Sequence, residues 1–263
     1  MWLSSVRLVS AVVLMGLLGA CSSTPDGYKY PRDPLETYNR GMHRFNTEFD
    51  NALLKPVSKG YKAITPEPLD RGITNFFNNI ADITSAVNNL LQFKLSRFGS
   101  DLGRVAANST VGVIGFFDVA TNMGLPSYKE DFGQTLGYWG AEPSPYLVLP
   151  LLGPSTLRDT VGKGGDILVD PFFSLEKNTI YWGFIALRVV DTRADLLQAS
   201  KILEAAAVDP YSFMRDSYLQ MRRNQIFDGN PPPDPYQEDI WAEEAAMEEE
   251  EKAAGDGSSG DAD

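Results

Sequence analysis

Between residues 73 and 93 apolar side chains recur at intervals of three and four: Ile73, Phe76, Phe77, Ile80, Ile83, Val87, Leu90 and Leu91. That spacing follows the 3.6-residue period of an amphipathic helix and predicts one from about Gly72 to Phe93. The opposite face is made of Thr74, Asn75, Asn78, Asn79, Ser85, Asn88, Asn89 and Gln92, with Asp82 its only charge. A surface helix normally mixes Lys, Glu and Arg on its wet side. An uncharged amide face suits a lumen, a partner or a buried polar seam, with a plain core helix as the alternative.

Four further helices follow from the same pattern. One opens at Asp33-Pro34 and runs to about Leu54. A second covers about Ser100 to Asn122 and contains Val105 to Phe117, a stretch without a charge. A third spans about Thr179 to Ala207, with Ile180, Phe184, Leu187, Val190, Ala194 and Leu197 on one side. The fourth opens at Asp209-Pro210, a favourable cap and first-turn pair, and ends before Gly229. Tyr146-Leu147-Val148-Leu149-Pro150-Leu151-Leu152 stands apart. Prolines on both sides forbid a normal helix, and the run is too apolar for an ordinary loop. A short strand, a hairpin, a buried loop and a loop inserted into lipid all remain open.

No stretch of the body reaches the roughly 20 apolar residues of a membrane-spanning helix, and no series of ten-residue alternating strands predicts a barrel. Helices that are one-sided but too short to cross can instead lie in a membrane surface. A globule hung from an anchor is the rival architecture.

The N-terminus supplies such an anchor. Arg7 precedes an apolar run of eleven residues, Leu8 to Leu18, and Leu18-Gly19-Ala20-Cys21 follows. A charge, a short apolar core and small residues form a secretory signal. A cysteine at the cut is the position that receives diacylglycerol, and lipid chains contribute about 0.8 kcal/mol per buried CH₂. Cys21 is also the only cysteine in the 263 residues, so no disulfide is available and the body must hold through its core or the membrane.

The net charge of −12 is concentrated at the other end. Residues 234–263 hold twelve acids against Lys252 alone, a net −11, while Arg7 contributes +1, which leaves about −2 on the body. That tail has the composition of disorder, and Pro231-Pro232-Pro233 with Pro235 marks its boundary. The expected organisation is therefore a signal (1–20), a lipidated linker (21–32), a helical domain (33–229) and a proline-rich linker with an acidic tail (230–263). No basic patch invites nucleic acid.

Catalytic chemistry finds little to stand on. His43 is the single histidine, and no nucleophile elbow, phosphate loop or dinucleotide turn is present. Metal ligation lacks Cys or His pairs, and no cofactor is implied. Ser174-Leu175-Glu176-Lys177 matches a lactamase-type tetrad without its companion motif.

Several longer motifs are similar to the MlaA/VacJ family of lipoproteins. They are Asp33-Pro34-Leu35-Glu36 with Asn39-Arg40 and Phe45-Asn46, Gly72 with Asn75-Phe76, Asn108-Ser109-Thr110-Val111-Gly112, and Gly115-Phe116-Phe117-Asp118-Val119-Ala120. Glu130 to Gly137, Tyr146 to Pro150, Gly153-Pro154-Ser155-Thr156 with Arg158-Asp159, and Asp209-Pro210-Tyr211 follow in the family's order. The resemblance covers about Asp33 to Gln225. It implies an all-α ring of amphipathic helices, with short irregular or hairpin segments, lying in the periplasmic leaflet of the outer membrane around a central amphipathic channel. It further implies extraction of mislocalised phospholipid from the outer leaflet, transfer to the soluble periplasmic carrier MlaC, association with trimeric porins, and no enzymatic activity. A porin-associated scaffold that moves no lipid is the alternative. Ser22, which is not Asp, agrees with outer-membrane sorting. On that reading Asn78, Asn79, Ser85, Asn88, Phe45 and Asn46 are expected along the lipid path, and residues 146–152 are expected to face or enter the membrane.

Overall fold

The computed structural model describes residues 33–141, 143–174 and 176–232. Cys21, the signal and the acidic tail lie outside them. The chain divides into two units, Met1–Ile226 and Phe227–Asp263, and every element below belongs to the first.

The chain is mostly helical, as expected. Helix α1 (Glu36–Phe49) passes through a π-helical turn, Asp50–Leu54, directly into α2 (Lys55–Ile64). The sequence predicted an end near Leu54, ahead of Pro56. A proline inside an α-helix loses one hydrogen bond and clashes with the carbonyl a turn earlier. The turn just before it is widened: Lys55 N donates to Asp50 O, five residues back. Arg193 grips the same aspartate through Nε and Nη2, at 2.6 and 2.7 Å.

Helix α3 (Glu67–Leu91) is the longest element and starts earlier than its apolar stripe, directly after Pro66. It packs along α4 (Leu95–Thr110). The uncharged run predicted to continue that second helix instead breaks at residues 111–118, before the short α5 (Val119–Asn122). Val113 and Ile114 adopt φ of 54° and 57°, and Gly115 follows at 89°. Left-handed backbone is costly for β-branched residues, so propensity gives no warning of this turn. Tertiary contacts hold it: Asn108 Oδ1 accepts from Val119 N and Ala120 N, both at 2.9 Å, and Gly115 N donates to Asn108 O.

Helix α6 (Phe132–Tyr138) is capped by Asp131, and α7 (Leu157–Val169) by Thr156. Between them lies the β1–β2 hairpin, Tyr146–Leu149 against Gly153–Thr156, antiparallel with Tyr146 opposite Thr156 and Leu149 opposite Gly153. Pro150 sits in the turn, where it needs no ladder partner. A 3₁₀ turn, Pro171–Ser174, leads to α8 (Thr179–Asp195), α9 (Leu197–Ala206) and α10 (Pro210–Ile226). The predicted helix over 179–207 is thus two, separated at Leu196. Asp209 caps α10 as expected, accepting from Tyr211 N at 3.2 Å. Asp33 does not cap α1: its carboxylate turns inward to Asn39 and Tyr211.

What lies inside is unusual. Apolar packing forms small groups, among them Tyr146, Val148 and Tyr211 with Met42, Tyr218 and Leu219, and a ring cluster of Phe76, Phe77, Phe172 and Phe184. Most buried side chains are polar, including Asn39, Asn88, Asn89, Gln92, Asp82 and Asp101. Large apolar side chains are exposed on every helix from α1 to α4 and from α7 to α10. Among the described residues no helix is long and apolar enough to cross a membrane.

Candidate functional site

The amide face of α3 is a buried seam. Asn89 Nδ2 donates to Asp101 at 2.8 Å, Arg104 Nε to Asp82 at 2.9 Å and Asn79 Nδ2 to Ser109 at 3.0 Å, which ties α3 to α4 along its length. The segment before α6 crosses the same face. Ser127 donates to Asp82, Tyr128 N to Asp101, and Ser85 Oγ accepts from Glu130 N while donating to Tyr128 O. At the C-terminal end Asn88 donates to Asp166 at 3.0 Å and accepts from Thr135 at 2.8 Å, while Gln92 reaches Glu130 and Thr135. Buried polar groups are tolerated when paired, and leaving one unpaired costs about 1–3 kcal/mol. The near-complete pairing here is why the helices can put amides inside.

Charge is handled the same way. Arg222 of α10 forks onto two carboxylates, Asp131 at 2.6 and 2.9 Å and Asp159 at 2.9 and 3.1 Å. Burial alone would raise both carboxyls, but the guanidinium overcomes it and holds them below the usual carboxylate range. Among the described residues Asp101 has no such cation bonded to it, and burial pushes its carboxyl up to about 6.

Two cavities open beside the seam, and Lys129 borders both. The larger, about 580 Å³, is lined by Asn75, Asn78, Arg104, Asn108 and Asp118 among others. The smaller, about 380 Å³, lies between α3 and α7, where Thr84 and Ser85 face Lys163, Asp166 and Ile167, with Leu152 of the hairpin at its edge.

These positions sort the sequence-derived site residues. Asn78 borders the larger cavity and accepts from Lys129 at 3.3 Å; Ser85 borders the smaller. Asn79 and Asn88 border neither: both are buried rungs of the α3 seam, because their amides bond Ser109, Asp166 and Thr135. Phe45 is exposed on α1. Asn46 clamps the hairpin: its Nδ2 donates to Leu149 O at 2.9 Å and its Oδ1 accepts from Leu151 N at 2.8 Å. Asn39 does the same one step along, donating to Tyr146 O at 3.0 Å and accepting from Val148 N at 2.8 Å. The seven-residue spacing explains the pair. Seven helical residues rise about 10.5 Å, and three strand residues about 10 Å, so two helix amides can replace a missing strand at the edge of β1.

The hairpin divides residues 146–152 between its two strand faces and its tip. Tyr146 and Val148 point into the core, at 1 % and 2 % exposure. Leu147 and Leu149 are half-buried between them by strand alternation, and Pro150, Leu151 and Leu152 alone are exposed at the tip. His43, on α1, is half-buried edge-on against Tyr211, and burial lowers its pKa.

Lys129, Lys163, Asp166 and Arg222 went unassigned in the sequence. Lys163 and Asp166 sit in Gly162-Lys163-Gly164-Gly165-Asp166, a glycine-rich run that reads as loop. It is helical because α6 presses on it: a Cβ at Gly162 would lie 2.4 Å from Gly133 N, and one at Gly165 2.6 Å from the Phe132 ring.

A family description of the MlaA lipoproteins matches residues 31–225. The chain belongs to the MlaA lipoprotein family. Relatives within it include the intermembrane phospholipid transport system lipoprotein MlaA of Escherichia coli K12, 33% identical over 224 residues, covering 82% of this chain and 86% of that one. The MlaA of Haemophilus influenzae is 29% identical over 231 residues, 84% of this chain and 89% of its own. An uncharacterized protein of Rickettsia felis is 32% identical over 195 residues, 74% of this chain and 78% of that protein. A solved MlaA-like chain, from work on the structural basis for maintenance of bacterial outer membrane lipid asymmetry, superposes with a TM-score of 0.65 at 34% identity, covering 75% of this chain and 99% of that one. The MlaA match begins two residues before Asp33 and ends within α10, so it takes in the seam, both cavities and the hairpin.

Proposed function

We propose that this protein is an outer-membrane lipoprotein of an intermembrane phospholipid transport system. It takes phospholipid that has strayed into the outer leaflet, passes it through an amphipathic path between its helices, and delivers it to the soluble periplasmic carrier MlaC. It sits in the periplasmic leaflet as a ring of helices around a central channel, anchored by lipid on Cys21 and associated with trimeric porins. It transports and does not catalyse.

One observation carries this reading: the polarity of the fold is turned inside out. Amides and paired charges fill the interior while Leu, Ile, Val and Phe cover the outside. Exposed apolar surface on this scale marks an interface, and an in-plane membrane seat fits helices of which, among the described residues, none can cross. The turn at residues 111–117 adds Val111, Val113, Ile114 and Phe117 to that surface, and Leu151 and Leu152 extend it from the hairpin tip. Phe45, exposed on α1, Asn78, at the larger cavity, and Ser85, at the smaller, are retained as lipid-path residues.

The test is lipid transfer. Proteoliposomes bearing the lipidated protein should pass fluorescent phospholipid to purified carrier faster than protein-free liposomes. Seating in the bilayer and porin binding without any transfer would leave only the scaffold reading. Cys21→Ser should abolish palmitate labelling; undiminished labelling refutes the anchor.

A further inference from the structure

The smaller cavity contains two charged groups that, among the described residues, have no opposite charge bonded to them. Of the acids around it, Glu130 accepts from Gln92, Lys94 and Arg97, Asp131 is held by Arg222, and Asp170 pairs with Arg188 at 3.1 Å. Lys129 donates to the Asn78 amide. Lys163 is half-buried on α7 and, among the described residues, its ammonium has no hydrogen-bond or ion-pair partner. Asp166 accepts at Oδ1 from Phe132 N at 2.9 Å and Asn88 Nδ2 at 3.0 Å and, among the described residues, has no cation on it. The two lie three residues apart on one helix, close enough to be neighbours, yet do not bond each other.

An ammonium with three donors and no acceptor is expensive to hold in a half-buried site. Burial already lowers the Lys163 pKa, and it raises that of Asp166. A ligand that brings both an anion and a cation, spaced like neighbours on a helix, would satisfy the pair. The border of the cavity limits the ligand further: Leu152 and Ile167 are exposed apolar side chains at its edge. A molecule with a zwitterionic head and an apolar body meets all three requirements.

We infer that the cavity between α3 and α7 is a head-group site for a zwitterionic glycerophospholipid, with Lys163 on the phosphodiester, Asp166 on the primary ammonium, and Leu152 and Ile167 against the first acyl carbons. The inference deepens the proposed function and rests on it. It makes phosphatidylethanolamine, with an ammonium that can donate hydrogen bonds, the preferred cargo over phosphatidylglycerol, which has the phosphate and lacks the cation.

The full lipoprotein in non-ionic detergent can be titrated with short-chain phosphatidylethanolamine, short-chain phosphatidylglycerol and inorganic phosphate, with binding read by native mass spectrometry. Wild type should bind phosphatidylethanolamine more tightly than phosphatidylglycerol, and phosphate far more weakly than either. Lys163→Met should weaken both lipids about tenfold or more, as expected for loss of a charge-assisted bond, and Lys163→Arg should retain binding. Asp166→Asn should weaken phosphatidylethanolamine alone. Each variant's melting temperature, read alongside, excludes those that have lost the fold, and Lys163→Arg then carries the comparison. Undiminished phosphatidylethanolamine binding by a folded Lys163→Met, equal loss of both lipids in Asp166→Asn, equal affinity of wild type for both lipids, or phosphate binding as tightly as lipid would overturn the head-group assignment. A wild-type protein that binds neither lipid would overturn the transport reading along with it.

Discussion

Replacing Arg222 by methionine should be among the most damaging single changes in the described fold, and the geometry says where the damage arises. The guanidinium makes two bonds to each of Asp131 and Asp159 and one to Gln225 at 3.0 Å. The two carboxylates are not equivalent. The Asp131 side chain is 36 % exposed, so its share is a surface-like interaction of about 0–1 kcal/mol. Asp159 is only 3 % exposed, and without Arg222 it keeps Tyr218 at 2.8 Å and a longer contact to Arg158 at 3.3 Å. Breaking a buried pair by removing one partner costs roughly 3–5 kcal/mol. For a domain of this size each kcal/mol lowers the melting temperature by about 2–4 °C, so the expected loss is roughly 6–20 °C. Thermal unfolding in detergent, followed by circular dichroism, measures it. The double variant Arg222→Met/Asp159→Leu should recover much of the loss, because the stranded charge is then gone. A single variant within about 2 °C of wild type, or a double variant no better than the sum of the two singles, refutes the reasoning. Acid adds a check: both carboxyls are held low in the fold, so their contribution is present above the unfolded value of about 4 and is lost as pH falls below it.

Asp101 should behave oppositely, because its folded pKa of about 6 exceeds the unfolded value of about 4. Its contribution to stability is full below about pH 4 and lost as pH rises through 6, and a melting-temperature profile that Asp101→Asn leaves unchanged between those limits would disprove this. Gly162→Ala should separate α6 from α7, since the new methyl would meet Gly133 N at 2.4 Å and Gly133 Cα at 2.6 Å; a drop of about 1–3 kcal/mol in stability is expected, and a neutral effect would show that the helices can shift apart. Asn39→Ala strands the buried Tyr146 O and Val148 N and should cost about 2–4 kcal/mol, whereas Asn46→Ala, at the exposed turn, should cost no more than about 1–2 kcal/mol and show as faster amide exchange at Leu151.

Periodicity made α3 legible because a 3.6-residue repeat survives whatever the helix packs against. It could not say which face goes inward. In water the apolar stripe would be the buried one; here the amide face is the deeper, as the burial of Asn79, Asn88 and Asn89 against an exposed Leu90 shows. The unusual lack of charge on that face was the usable signal, and a buried polar seam was one of its three readings. The break after Thr110 was hidden because Val113 and Ile114 take a backbone that their own side chains disfavour, imposed by Asn108 from the preceding helix. The ionic centres were hidden by distance: Arg222 lies 91 residues from Asp131 and 63 from Asp159, and nothing local announces the pairing. Glycines concealed α7 for a related reason, since close packing against α6 requires Gly162 and propensity alone would place it in a loop.

The inverted interior has a consequence for how this sequence can drift. Dispersion and hydrophobic contact are indifferent to direction, so an outward Leu on α7, such as Leu168, can become Ile, Val or Met and still meet its surroundings. A hydrogen bond fixes both length and angle, and Asn88, with one group donating and the other accepting, has no isostere that keeps both. In a water-soluble globule the core is the apolar region and the surface wanders. Here the immobile alphabet is amide, carboxylate and guanidinium, and the freely exchanged letters are the greasy ones outside.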